Sequence, residues 1–365
     1  MTLSPRESAA RGLQLLADRL EPIISRTLAP DLDGLSWTVL LTEIDRLKGK
    51  VPHTYTRNDV QAQLRVLTER LGNIGYPFDD HTRTVSTLGG ELRIARNRIS
   101  HMDDLTLLDA WRTLDFIVRL LAHFDDSEGS AEAESMRDSI LRLTSPGAEL
   151  TSVEDEVDEE AAETGPGEPE VVPDPEVYRR AETVQDRPRT SLRDERLEFE
   201  PWTVVLAGDV SALDGIRRQE NRELVRSVIE EIVAQEGPIQ MERLARLTGR
   251  AFGLGRVESK RVNQIKHQVK GTELTVDGDG WVWPVDMDPE NWEEFRPSSS
   301  GVDRPFDAIA PQEVANASQF LRDSHPEDTE DEHRRRVLQT FGKKRMTTKV
   351  RQHLDRSLDT MVFVG

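Results

Sequence analysis

Apolar residues recur at helical spacing through the first 124 positions. Leu13, Leu16, Ala17, Leu20, Ile23 and Ile24 follow one another at intervals of about three and four, as in a helix that buries one face. The same spacing predicts helices over 35–48, 59–71 and 88–99. A further helix over 104–124 carries Leu107, Trp111, Leu114, Val118 and Leu121 on one side. Asp103 or Asp104 can cap it, and Gly72 to Pro77 breaks the chain after the third helix. No strand-like alternation interrupts these segments. A bundle of antiparallel helices over 1–125 is the economical arrangement.

The pattern then changes twice. Over 126–199 apolar positions thin out, and the acidic run Glu154–Glu160 is followed by Gly165-Pro166-Gly167 and Pro173-Asp174-Pro175. Like charges repel and prolines block regular ladders, so this stretch reads as an acidic flexible linker with room for one short helix over 131–143. Its r.m.s. reach would be roughly 50 Å, enough for the flanking parts to work separately. Its alternative use is as an acidic mimic of nucleic acid or a docking tail.

Beyond 200, a helix over 217–235 turns Leu224, Val225, Val228, Ile229, Ile232 and Val233 inward, and helices over 241–251 and 259–270 follow. Glu273–Val276, Asp277-Gly278-Asp279-Gly280 and Trp281-Val282-Trp283 then spell strand, tight turn, strand. Three helices and a hairpin make a winged-helix pattern over 200–297. Part of it recurs: Phe252-Gly253 aligns with Phe341-Gly342, Arg256 with Arg345, Lys260 with Lys349, Ile265 with Leu354 and Val269 with Leu358. Residues 298–365 therefore read as a second, degenerate winged helix, led by a helix over 311–322 and with its wing reduced to Met361–Val364. The expected class is mainly α: a helical bundle, an acidic linker and tandem winged-helix-like domains.

Charge sharpens this division. The chain has a net charge of −20, of which −16 falls between residues 125 and 200. Bulk acidity thus does not argue against a nucleic-acid ligand elsewhere. Basic residues collect on the second and third helices of each repeat, where a helix-turn-helix faces phosphate. The residues expected to bind nucleic acid are Arg250, Arg256, Lys260, Arg261 and Gln264 in the first unit, and Lys343, Lys344, Arg345, Lys349 and Arg351 in the second. His267 and Gln268 are expected beside them. The competing reading is a solvated surface, or pairing with the acidic stretch between the two clusters. Trp281 and Trp283 could stack on bases, although wing tryptophans more often pack on the core.

The absence of cysteine excludes disulfides and thiol chemistry, and it suits a reducing interior. No apolar run approaches a membrane span and no secretory signal is readable, so a cytoplasmic protein without a membrane partner is expected. No Gly-rich phosphate loop ending in Lys-Ser or Lys-Thr occurs, so ATP hydrolysis by this chain alone is not expected. His325 and His333 flank an acidic patch, but their spacing matches no ligand pattern. No metal site and no cofactor is assigned.

The sharpest chemical feature is Arg96-Asn97-Arg98-Ile99-Ser100-His101, at the end of the fourth helix. Together with Leu92-Arg93-Ile94-Ala95 before it, the segment resembles the HEPN superfamily of helical ribonuclease and nucleic-acid-associated domains. The branch is that of the bacterial relatives of the C-terminal domain of a yeast nuclear RNA-quality-control endonuclease. The resemblance spans about residues 8–124. It implies a homodimer in which Arg-x4-His pairs from two protomers form one metal-independent ribonuclease site.

On that resemblance, His101 is the general acid or base on the 2′-hydroxyl or leaving oxygen, Arg96 holds the scissile phosphate, and Asn97 orients both. The implied product is a 2′,3′-cyclic phosphate. Residue types fit: imidazole titrates near neutrality and guanidinium forks onto phosphate oxygens. Residues five apart on a helix are rotated by roughly 140°, so the pair can converge only if His101 lies beyond the last turn. A toxin subgroup has tyrosine two residues after the His; Asp103 stands there, which puts that subgroup's nucleotide-transfer regulation in doubt.

The bland alternative is that Arg96, Asn97 and His101 merely tie the helix end to the next loop. Residues 200–362 also resemble a domain of unknown function that commonly closes large bacterial helicase-like proteins, seen in Glu236-Gly237-Pro238-Ile239, Ala251–Arg256 and Gly280–Pro284. Together the resemblances imply RNA as substrate, DNA or RNA at the winged helices and a role in anti-phage or stress defence. The alternative is a non-catalytic dimerising adaptor that binds DNA and recruits a separate helicase or ATPase.

Overall fold

The computed structural model describes residues 3–51, 53–79, 82–101, 104–144, 196–298 and 304–360. Helix α1 (Pro5–Leu28) starts in a capping box: Glu7 N–H donates to the Ser4 hydroxyl, and Ser4 N–H donates to the Glu7 carboxylate. Its stripe of Leu16, Ala17, Leu20 and Ile24 is buried in the bundle core. Helices α2 (Trp37–Leu47) and α3 (Val60–Thr68) begin at Ser36 and Asp59, whose side chains cap them. Helix α4 (Thr84–Ser100) starts four residues earlier than the apolar pattern predicts. Asp79 explains the difference, because its carboxylate accepts the backbone N–H groups of Val85 and Ser86 from outside the helix. Helix α5 (Leu107–His123) is capped by Thr106 in a box with Asp109, rather than by Asp104, while Asp103 lies outside the described residues.

Helix α6 (Ser127–Thr144) lies in the stretch read as linker, and it packs on α5 with Ala133 and Ile140 buried. Residues 196–199 also belong to the packed structure, with Phe199 buried. Acidic surface residues mask both segments in the sequence, since only a few apolar positions do the packing. Residues 145–195, the bulk of that stretch, lie outside the described residues.

The C-terminal half begins with the short α7 (Val210–Asp214) and the long α8 (Gln219–Glu236), which buries Val225, Val228, Ile229, Ile232 and Val233. Strand β1 (Ile239–Gln240), absent from the sequence reading, leads into α9 (Met241–Ala251) and α10 (Ser259–Val269). Strands β2 (Thr275–Val276) and β3 (Trp281–Trp283) complete an antiparallel sheet of order β1-β3-β2, with Ile239 opposite Val282 and Thr275 opposite Trp283. This is a winged helix whose wing tryptophans face inward. Trp281 and Trp283 are buried with Met287, Trp292 and Ala310, and Trp283 Nε1 donates to Asp277 at 2.9 Å. They are therefore not available for base stacking.

Helices α11 (Pro311–Ser324), α12 (Glu330–Thr340) and α13 (Thr348–Thr360) form the second unit. The repeat is geometric as well as sequential. Buried Phe252 and Phe341 each close a helix, and each is followed by a glycine with positive φ, +79° at Gly253 and +67° at Gly342. Ile265 and Leu354 are buried at equivalent places on α10 and α13. The second wing, Met361–Val364, lies outside the described residues. A buried ionic knot joins the two units: Arg304 grips the Glu313 carboxylate with two bonds of 2.7 and 2.8 Å. Arg296 adds another at 2.9 Å and donates to the Glu236 and Gly237 carbonyls at the end of α8. Phe199 lies against the Arg304 guanidinium at 4.0 Å.

Far from working apart, the two halves are docked. Helix α4 packs along α8, and Ile94 joins the apolar core built around Val225, Ile229 and Val233. Gly90 lets the segment before α7 lie against α4 as well, since a Cβ there would lie 3.1 Å from Val205 Cγ1. At the far edge Trp292 Nε1 donates to the Lys48 carbonyl at 2.9 Å, Val51 N–H donates to the Asp286 carbonyl at 2.8 Å, and Lys50 pairs with the Asp286 carboxylate at 2.9 Å.

Candidate functional site

The last turns of α4 present the motif. His101 is the cap residue just past Ser100, with φ −78° and ψ 6°, and its N–H donates to the Asn97 carbonyl at 3.0 Å. It therefore sits beyond the helix, as convergence with Arg96 requires. Asn97 is buried. Arg96 is half-buried, and its guanidinium makes no hydrogen bond or ion pair among the described residues. Burial lowers its pKa, while Asp59 and Glu231 favour its charge and Arg93 opposes it.

The helix end is tied down by other residues. Arg98 pairs with Asp109 on α5 at 3.1 Å, and Arg6 on α1 donates to the Ile99 carbonyl at 3.0 Å. Fastening therefore does not consume Arg96, which keeps its donors for another acceptor.

One turn earlier, Arg93 is 1% exposed and bridges the halves. It donates to Thr68 Oγ1 at 3.0 Å, meets Glu69 at 3.3 Å and pairs with Glu231 of α8 at 2.8 Å. Glu69 is also held by Arg65 at 2.9 Å and Lys48 at 3.0 Å, and Arg65 reaches Asp45 at 2.7 Å. A chain of alternating charges thus runs from α2 through α3 and α4 to α8. Burial would raise the Glu69 carboxyl, but Arg65, Lys48 and Arg93 together hold it well below the usual range. Glu231 has one arginine within pairing distance, and burial keeps its pKa above the ordinary value.

Next to Glu231, Glu230 closes on the motif itself: its carboxylate lies 2.8 Å from His101 Nε2. The His101 side chain is 46% exposed, so this contact forms the rim of the interface, whereas Arg93–Glu231 forms its sealed centre. The sequence motif contains none of Arg93's partners. Glu231 stood among apolar neighbours on the buried side of a predicted helix, and a buried carboxylate requires a cation; that signal pointed to a partner without saying which.

The basic residues of the winged helices divide into two groups. Arg256 and Lys260 in the first unit, and Lys344, Arg345 and Arg351 in the second, are exposed and make no ion pair among the described residues. Arg250 is exposed and Lys343 half-buried. The others are engaged. Arg261 pairs with Asp214, donates to the Leu213 carbonyl at 2.9 Å and holds Gln264 Oε1 at 3.0 Å; Lys349 pairs with Asp307 at 2.6 Å. Gln268 is buried instead of facing a groove. The acidic stretch also claims Arg356 through Asp279. Pairing within the chain therefore accounts for part of the basic surface.

His333 is buried and shares a hydrogen bond of 2.8 Å with Ser318, and no cluster of metal-ligand residues occurs among the described residues. No helix among them is long and apolar enough to cross a membrane.

Comparison with known families assigns the bundle. Residues 11–125 match the Swt1-like HEPN family. The motif helix α4 lies wholly inside this HEPN domain. Residues 215–263, from before α8 into α10, match a protein family of unknown function, DUF3320. No curated protein and no solved structure matches the chain. The contact between His101 and Glu230 thus joins two recognisable families within one polypeptide.

Proposed function

We propose that the HEPN domain is a metal-independent endoribonuclease and that the winged-helix units hold its nucleic acid. The observation that carries this reading is Arg96: a half-buried guanidinium with no hydrogen bond or ion pair among the described residues, five residues before the capping His101. A desolvated cation with unused donors is a site for an oxyanion. With RNA bound, Arg96 would fork onto the scissile phosphate. His101 would take the 2′-hydroxyl proton or deliver one to the departing 5′-oxygen, leaving a 2′,3′-cyclic phosphate. Proton transfer and charge stabilisation both come from side chains, and two protomers would supply complementary residues in a homodimer. Exposed Arg256, Lys260, Lys344, Arg345 and Arg351 would track the backbone of DNA or RNA. A role in cytoplasmic defence against phage or stress agrees with this pairing of domains.

The test is cleavage of end-labelled RNA in excess EDTA, with Arg96→Ala and His101→Ala beside the unaltered chain. The reading requires cleavage that both substitutions abolish. A second reading is favoured by the Glu230–His101 contact: the motif serves as a docking surface in a non-catalytic adaptor that binds DNA and recruits a separate helicase or ATPase. Steeply salt-dependent DNA binding unchanged by His101→Ala, without RNA turnover, would favour it.

A further inference from the structure

We propose that α8 is an intramolecular cover that competes with an RNA phosphate for the cationic face of α4. The inference rests on the ribonuclease reading for the identity of that face. Glu230 and Glu231 are adjacent on α8 and meet the cap residue His101 and the α4 residue Arg93, each at 2.8 Å. Glu231 also acts electrostatically on Arg96. Carboxylates and phosphates seek the same cationic partners, so two neighbouring carboxylates stand in for the anions of a bound strand. A second protomer cannot bring its motif to this face while α8 lies on it.

Opening must also release the far edge, where Trp292 and Asp286 meet Lys48, Lys50 and Val51. Against that, the charged members of the interface can be rehydrated on both sides, and Ile94 is the one bundle residue in the apolar core of the C-terminal half among the described residues. Opening starts at the rim, where His101 is already half open to solvent. This contact is open to solvent on the His101 side only, so losing it shifts the open population by about two- to five-fold. The sealed Arg93–Glu231 pair keeps the closed form dominant until RNA supplies competing anions.

The chain contains no cysteine, so an engineered pair has no background thiol. Val205, in the segment before α7, shares the core of α8, and a Cβ at Gly90 would lie 3.1 Å from its Cγ1, where a cysteine sulfur would sit, so a Gly90→Cys/Val205→Cys cross-link reports on α4 leaving the C-terminal half. Two readouts use the full chain carrying this pair, its folding verified by circular dichroism. In the first, the rate of disulfide formation is followed with and without a non-cleavable 2′-O-methyl RNA oligomer at a saturating concentration. In the second, RNA cleavage is compared between oxidised and reduced protein, and between unaltered chain and Glu230→Gln.

The cover predicts that the oligomer slows cross-linking several-fold, that oxidation suppresses cleavage reversibly, and that Glu230→Gln raises cleavage about two- to five-fold. Cross-linking indifferent to saturating oligomer would overturn the proposal. So would full cleavage by the oxidised form, or a loss of cleavage in Glu230→Gln, which would make Glu230 a helper of His101. If no form cleaves RNA while the oligomer still slows cross-linking, the cover stands and the ribonuclease reading falls.

Discussion

Arg93 is where a single substitution tests the sealed centre of the seam between the two halves. Arg93→Met keeps the volume and removes the charge. Glu69 retains Arg65 at 2.9 Å and Lys48 at 3.0 Å, so the carboxylate left without a pairing cation is Glu231, which is 2% exposed. A buried, unpaired carboxylate escapes by taking up a proton. Starting from the ordinary value of 4.5, neutralising it at pH 7 costs about 3 kcal/mol. That agrees with the loss of about 3–5 kcal/mol for breaking a buried ion pair.

Equilibrium urea unfolding should therefore show Arg93→Met destabilised by about 3 kcal/mol at pH 7. The sign of its pH dependence follows from Glu231. Burial raises this carboxyl in the folded chain, so the folded state binds the proton more tightly than the unfolded one. Stability is then recovered as pH falls from 7 towards 4.5. Adding Glu231→Met removes the orphan, so the double variant should regain most of the loss at pH 7 and lose the pH gradient. A cost below about 1 kcal/mol with no recovery at lower pH would refute the reasoning.

Glu313 works in the opposite sense. Arg296 and Arg304 outweigh its burial and hold it at about 2, below the ordinary 4.5. It contributes about 3 kcal/mol that is present above pH 4.5 and lost as pH falls through 2; in Glu313→Gln, acid titration of stability should lack this decline. Gly49→Ala places a Cβ 2.7 Å from the Trp292 ring at φ +67°. It should displace Trp292 from the Lys48 carbonyl and red-shift tryptophan emission without unfolding the bundle. Arg256→Ala/Lys260→Ala should flatten the salt dependence of nucleic-acid binding by about one unit in the log–log slope for each phosphate no longer neutralised. Arg261→Ala, whose guanidinium is held by Asp214, Leu213 and Gln264, should flatten it less.

Much of this architecture is legible because it rests on local rules. Leu16, Ala17, Leu20 and Ile24 mark α1 by spacing alone, and Met241–Ala251 follows from its own periodicity and the Phe-Gly stop. Asp279-Gly280 marks the wing turn in the same way. Errors arose where a distant residue decides: Asp79 starts α4 from outside it, and Ala133 and Ile140 give α6 just enough apolar surface to pack on α5. Arg96, Asn97 and His101 could be found because they share one helix end. Glu230 and Glu231 could not be assigned to them, since 129 residues separate Glu230 from His101 and nothing local encodes the docking. Arg261 and Lys349 look available in the sequence for the same reason; their acidic partners, Asp214 and Asp307, lie in other segments.

The central claim is that a 2′-hydroxyl attacks a phosphate held by Arg96 and served by His101. The most direct measurement uses a short RNA and the same strand carrying 2′-deoxy nucleotides at the mapped cleavage positions, both incubated with the full chain in EDTA and resolved by mass. The expected result is fragments ending in 2′,3′-cyclic phosphate from the RNA, no cleavage at the deoxy positions, and none of either kind with His101→Ala. Cleavage at deoxy positions, or fragments that persist with His101→Ala, would contradict it.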